Sequence, residues 1–115
     1  MMMTTSEKEK FTVMQITGEQ DAKPEEIMIS FKRMCDQMDS VLRMNRNFIL
    51  FDLSDCSYIN SSIISLFVVA ATKVREKGGW IKLIVPSENT RQILELVGID
   101  KIAQIFKTKE ESPYK

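Results

Sequence analysis

Two adjacent serines, Ser61 and Ser62, stand where a strand-like run and a short polar loop give way to an apolar helical stretch. The strand-like run is Phe48–Leu53 (FILFDL), and the full stretch from Asp52 to Phe67 reads DLSDCSYINSSIISLF. A helix starts with backbone N–H groups that lack partners and with the positive end of its dipole, so it favours a phosphate placed there. Hydroxyls presented at such a point suit reversible phosphorylation. The same residues have a plainer use, because Ser61 or Asn60 can cap the helix through a side-chain oxygen. Residue chemistry alone leaves both roles open.

Other chemistries are poorly served. The chain contains no histidine, which removes the commonest general base, the Ser–His and Cys–His nucleophile pairs and the commonest metal ligand. Gly18, Gly78, Gly79 and Gly98 fall in no phosphate-binding loop pattern. Cys35 and Cys56 are far apart and lack metal-ligand spacing; Cys35 lies on the apolar side of an expected helix and reads as a buried free thiol. The expectation is a non-enzymatic protein with no cofactor and no metal.

Sixteen Lys and Arg balance sixteen Asp and Glu, so no global field recruits nucleic acid or an anionic membrane. The longest apolar run, Ile63–Ala71, is interrupted by Ser65 and too short to span a bilayer. MMMTTSEKEK lacks the apolar centre of a secretory signal. A cytoplasmic location without direct membrane insertion is expected.

These residues need elements to hold them, and the 115-residue length suits one domain with one core. Phe11–Thr17 reads as a strand ending at Gly18. From Pro24 to about Arg43 the apolar residues Ile27, Phe31, Met34, Cys35, Met38, Val41 and Leu42 recur at helical spacing. Phe48–Leu53 is apolar enough for a strand buried on both faces. A helix then runs from Ser61 or Ser62 to about Lys77 and ends at Gly78–Gly79. Trp80–Val85 is a further strand, Ser87 caps a helix through Val97 with Ile93, Leu94 and Val97 inward, and Ile102–Phe106 is a short last strand. Alternation of this kind builds an α/β domain with a mainly parallel sheet packed by helices. Residues 1–10 read as a flexible lead-in, 11–107 as the domain and 108–115 as a loose tail.

Three stretches together resemble the STAS domains, named for sulfate transporters and anti-sigma factor antagonists, and the small antagonist type among them. They are Thr17–Asp21 (TGEQD), Phe51–Leu66 (FDLSDCSYINSSIISL), and Gly78–Pro86 taken with Val97–Gly98–Ile99; the likeness covers about residues 11–107. The second is similar to the family's Asp–Leu–Ser strand end and Asp–Ser–Ser–Gly phosphorylation loop. The resemblance implies a STAS-like mixed sheet with helices on it. It also implies an unphosphorylated form that sequesters an anti-sigma factor, itself a serine kinase of the GHKL ATPase type. A PP2C-type phosphatase would reverse the modification. The phosphoacceptor is the residue after the motif's Asp and maps onto Ser61, with Ser62 as the second choice. Asn60 stands where the motif has Asp, and Ile63 where it has Gly. That change leaves open a phosphorylation-independent scaffold or adaptor module in a signalling or lipid-transport assembly. A small-molecule or nucleotide-binding domain is the remote alternative.

A helix as apolar as the one after Asn60 cannot easily hide every such residue against one sheet. Ile63, Phe67, Ala70 and Val74 share a face, with Ile64, Val68 and Ala71 to the side. A partner-docking patch is therefore expected from Asn60, Ser61, Ser62, Ile63 and Ile64, beside a loop carrying Gly18 and Asp21. Neighbouring elements could instead cover all of these residues.

Overall fold

The computed structural model describes residues 2–8, 10–18, 23–56 and 59–113. Among the described residues five strands form one sheet in the order β1-β2-β3-β4-β5. They are β1 (Met2–Glu7), β2 (Thr12–Thr17), β3 (Phe48–Asp52), β4 (Trp80–Ile84) and β5 (Gln104–Phe106). β1 runs antiparallel to β2, and β2 through β5 are parallel. The helices are α1 (Pro24–Arg43), α2 (Ser61–Arg75) and α3 (Glu88–Leu96). The mixed α/β architecture expected from the alternation is the one observed, with β3 and β4 adjacent and parallel.

Alternation along each strand sorts the side chains into two unequal layers. Met14, Ile16, Ile49, Phe51, Ile81 and Leu83 join residues of α1, α2 and α3 in the main core. Each such side chain removed from water contributes roughly 1.5–3 kcal/mol. The rings of Phe51 and Phe67 meet there with centroids 4.9 Å apart. Val13, Leu50 and Ile84 form a much smaller cluster on the opposite face, flanked by Phe11.

The first strand was not legible as one. Residues 1–10 read as a flexible lead-in, yet Met2–Glu7 pairs along its whole length with β2. Its residues are mostly exposed, and Met3 alone is buried. An edge strand with a single inward side chain has no apolar alternation to read. Its anchor is remote in sequence: the Gln37 amide on α1 donates to the Met3 carbonyl at 2.8 Å.

The C-terminal segment is likewise more than a loose end. It returns over the second face of the sheet, where Lys109 Nζ lies 3.7 Å from Asp52 Oδ2 and Ser112 is buried. Further along, Pro113 lines one cavity together with Phe11, Phe48 and Trp80. This segment covers part of a face whose buried cluster includes no helix residue among the described residues.

Two local features fix the frame. A Cβ on Gly79 would sit 1.9 Å from the Asn47 carbonyl oxygen, which accepts the Trp80 N–H at 3.0 Å. Only glycine lets the start of β4 approach the start of β3 so closely. α3 is capped by Ser87, whose Oγ accepts the Thr90 N–H at 3.2 Å. Of the three residues expected to face inward from it, Leu94 is buried but Ile93 and Val97 are exposed. The helix is short and meets the core along one narrow row, so it cannot cover them.

Candidate phosphorylation and docking site

The loop from β3 to α2 is built by hydrogen bonds rather than by packing alone. Asp52 ends β3 with its side chain buried, and its Oδ1 accepts both the Ser54 N–H at 2.9 Å and the Ser54 hydroxyl. This Asx turn reverses the chain immediately after the strand. The Gln15 amide donates to Asp55 Oδ2 at 2.9 Å, and Gly18 pairs in parallel with Cys56. The end of β2 is thereby tied to the same loop. Ligands and partners of open α/β sheets bind near the C-terminal ends of parallel strands, which is where these segments meet.

Asn60 settles the capping question. Its backbone is extended, and its Oδ1 accepts the Ile63 N–H at 3.0 Å. The cap position is therefore filled by asparagine, and Ser61 is the first helical residue. Ser61 is exposed and Ser62 half-buried, and neither side chain has a hydrogen-bond partner among the described residues. The first turn of α2 contains no acidic residue. An exposed hydroxyl thus stands at the positive end of a 15-residue helix with no like charge in its own turn.

The residues named from sequence do not all reach this surface. Gly18 and Asn60 are half-buried and face the loop cluster through the contacts above. Asp21 lies outside the described residues. Ile63 is a correction: it is completely buried in the main core. As the third residue of α2 it points beneath the helix onto the sheet, so its side chain cannot touch a partner. Ile64 is half-buried and packs against the same core.

Three residues not singled out for docking are exposed on this helix instead. Ser65, Val68 and Val69 are exposed on α2, with Val68 at 45%. Ser61, Ser65 and Val68 follow one another at spacings of four and three, which makes a continuous outer stripe. That spacing was available in the sequence; what was missing was which of the helix's two apolar faces meets the sheet.

Neither cysteine is in a disulfide. Cys35 is half-buried rather than fully buried, and burial pushes its thiol up, with Asp39 and Asp36 adding to the shift against the opposing pull of Lys73. A thiol so placed stays protonated and weakly nucleophilic near neutrality.

The sheet order, the capped α2 and the loop before it place this geometry in a known group. The model of the STAS domain family matches residues 3–112. The chain belongs to the STAS domain family. The match takes in both β1 and most of the C-terminal segment, beyond the 11–107 span legible from motifs. Over 74 residues this STAS domain is 31% identical to a protein of Thermotoga neapolitana and 30% identical to one of Thermotoga maritima, both provisionally named anti-sigma factor antagonists. The matched stretch is 64% of this chain and 66% of each relative, just under two thirds of their length.

Solved structures share the fold. An anti-sigma-factor antagonist (STAS) domain protein from Planctomyces limnophilus superposes with a TM-score of 0.74 at 20% identity, covering 95% of this chain and 92% of that one. The Bacillus cell-fate determinant SpoIIAA in its phosphorylated form gives a TM-score of 0.71 at 16% identity, with 95% and 94% covered.

Proposed function

We propose that this STAS domain is a regulatory partner-binding protein of the anti-sigma factor antagonist kind, switched by phosphorylation of Ser61. The observation that carries the reading is the division of labour at the start of α2: Asn60 caps the helix, leaving the Ser61 hydroxyl exposed and uncommitted. The names of the Thermotoga relatives and a fold neighbour solved in phosphorylated form support it. In this reading the partner is an anti-sigma factor with serine kinase activity of the GHKL ATPase type, and a PP2C-type phosphatase restores the binding form. The domain itself is non-enzymatic and works in the cytoplasm. Among the described residues no helix is long and apolar enough to cross a membrane.

A phosphate adds roughly −1.5 to −2 charges where the helix dipole favours them, so the fold tolerates the modification and the effect falls on binding. Burying that charge unpaired against a complementary surface costs several kcal/mol, a loss of about 10²-fold in affinity or more. The test is incubation with a GHKL-type serine kinase of the same organism and ATP, followed by mass spectrometry and calorimetric titration. Phosphate is expected on Ser61, with Ser61→Asp weakening the complex and Ser61→Ala retaining it. If neither serine is modified and Ser61→Asp binds like wild type, the switch is wrong. The adaptor reading, favoured by Asn60 standing at the motif's acidic position, then takes its place.

A further inference from the structure

At the opposite pole from Ser61, at the N-terminal ends of β3 and β4, lies a cavity of about 730 Å³. Its walls are aromatic: Phe11 and Trp80 have ring centroids 6.4 Å apart, and Phe48 and Trp80 5.5 Å. Phe48 is 40% exposed, and Pro113 of the C-terminal segment closes one side. The volume falls within the roughly 300–1,000 Å³ of small-molecule sites, which combine apolar walls with a few polar groups.

Among the described residues the charge lining this cavity is one-sided: Lys10 and Arg46 line it, and no acidic residue does. Lys82 Nζ sits 4.3 Å from the Trp80 ring centroid, adding a cation beside the aromatic cluster. Arg46 is already engaged, since its guanidinium donates to Thr12 Oγ1 and to the carbonyls of Lys8 and Phe11. That holds the turn between β1 and β2 and leaves Arg46 as fixed background charge. Lys10 is exposed and makes no ion pair among the described residues.

From these facts we infer that the cavity binds a small planar aromatic anion of single charge, such as an aryl carboxylate or sulfonate. Flat rings are what a Phe–Phe–Trp cluster packs against well, in offset or tilted contact. Lys10 gives a carboxylate or sulfonate a cation to pair with, with Lys82 and Arg46 as background positive charge, and the apolar walls leave a polyphosphate's further charges without close partners. The site is independent of the Ser61 reading, because it shares no residue with the α2 surface.

Trp80 is the chain's single tryptophan, so its fluorescence reports on this cavity directly. The experiment titrates the full chain with anilinonaphthalene sulfonate and follows energy transfer from Trp80 to the dye, alongside its uncharged counterpart phenylnaphthylamine. Saturable one-to-one binding is expected, with the neutral dye and the Lys10→Gln variant each weaker by about tenfold, the weight of one charge-assisted contact. Phe48→Ala should weaken binding about three- to tenfold through loss of one ring contact. Leu96→Ala, which removes an exposed side chain on α3, should change nothing. Lack of saturation, equal affinity for the neutral dye, or sensitivity to Leu96→Ala instead of Phe48→Ala would each overturn the assignment. Both Lys10 and Phe48 are exposed, so their variants leave the fold intact.

Discussion

Asn60 and Ser61 are neighbours with separable jobs, and stability measurements can tell them apart. Asn60 satisfies the Ile63 N–H at the start of α2, so Asn60→Ala should lower stability by about 1 kcal/mol. Ser61 is exposed and its hydroxyl has no partner among the described residues, so Ser61→Ala should fall within about 0.5 kcal/mol of wild type. Urea unfolding of the two variants checks this, and a cost at Ser61 equal to that at Asn60 would restore the serine to a capping role. The sequence offered both residues as caps and could not choose. Either side chain can reach a free N–H, and the choice depends on which backbone is extended at the helix entrance. That angle is set by the loop, through the Asp52 turn and the Gly18–Cys56 pairing, and a linear pattern does not contain it.

At the scale of the element, α2 has to bury one face and present another. Ile63, Leu66, Phe67, Ala70 and Val74 are completely buried, and Val68 and Val69 are large exposed apolar residues. The periodicity of the sequence did group Ile63 with Phe67, Ala70 and Val74. It then assigned Ile63 to the docking patch as well, which its complete burial excludes. Exposed valines on a helix face are usual in small numbers, but two on the helix that carries the candidate phosphoacceptor, about two turns from it, fit a surface that a partner covers. Val68→Glu should therefore leave thermal stability nearly unchanged while weakening partner binding by about tenfold or more, as loss of a desolvated interface contact does. Ile64→Glu should instead lower stability, because Ile64 packs against the core and a carboxylate there is costly to desolvate. Parallel thermal melts and binding titrations separate the two. A destabilised Val68→Glu would show that the outer stripe belongs to the core.

The whole molecule is a sheet with one well-covered face and one covered sparingly. Sequence made the first face plain, because α1 and α2 repeat their apolar residues at helical spacing. The second face was hidden for a physical reason: its cover is a short, charged, proline-containing segment that looks solvated. Asp52 is buried on that face, its Oδ1 held by Ser54 and its Oδ2 facing Lys109 at 3.7 Å. A buried carboxylate that loses its cation costs more than an exposed pair would. Lys109 is 45% exposed, however, so water screens part of the interaction and the cost of Lys109→Ala should be about 1 kcal/mol. In an Asp52→Asn background the amide keeps an acceptor for Ser54 but carries no charge, so the same lysine change should cost almost nothing. The double-mutant cycle isolates the pair from other effects of the tail. Equal costs in both backgrounds would mean that Ser112 and Pro113, rather than the ion pair, hold the segment in place. Shortening the chain after Lys109 should then reproduce the loss that Lys109→Ala fails to explain, read as a lower urea midpoint.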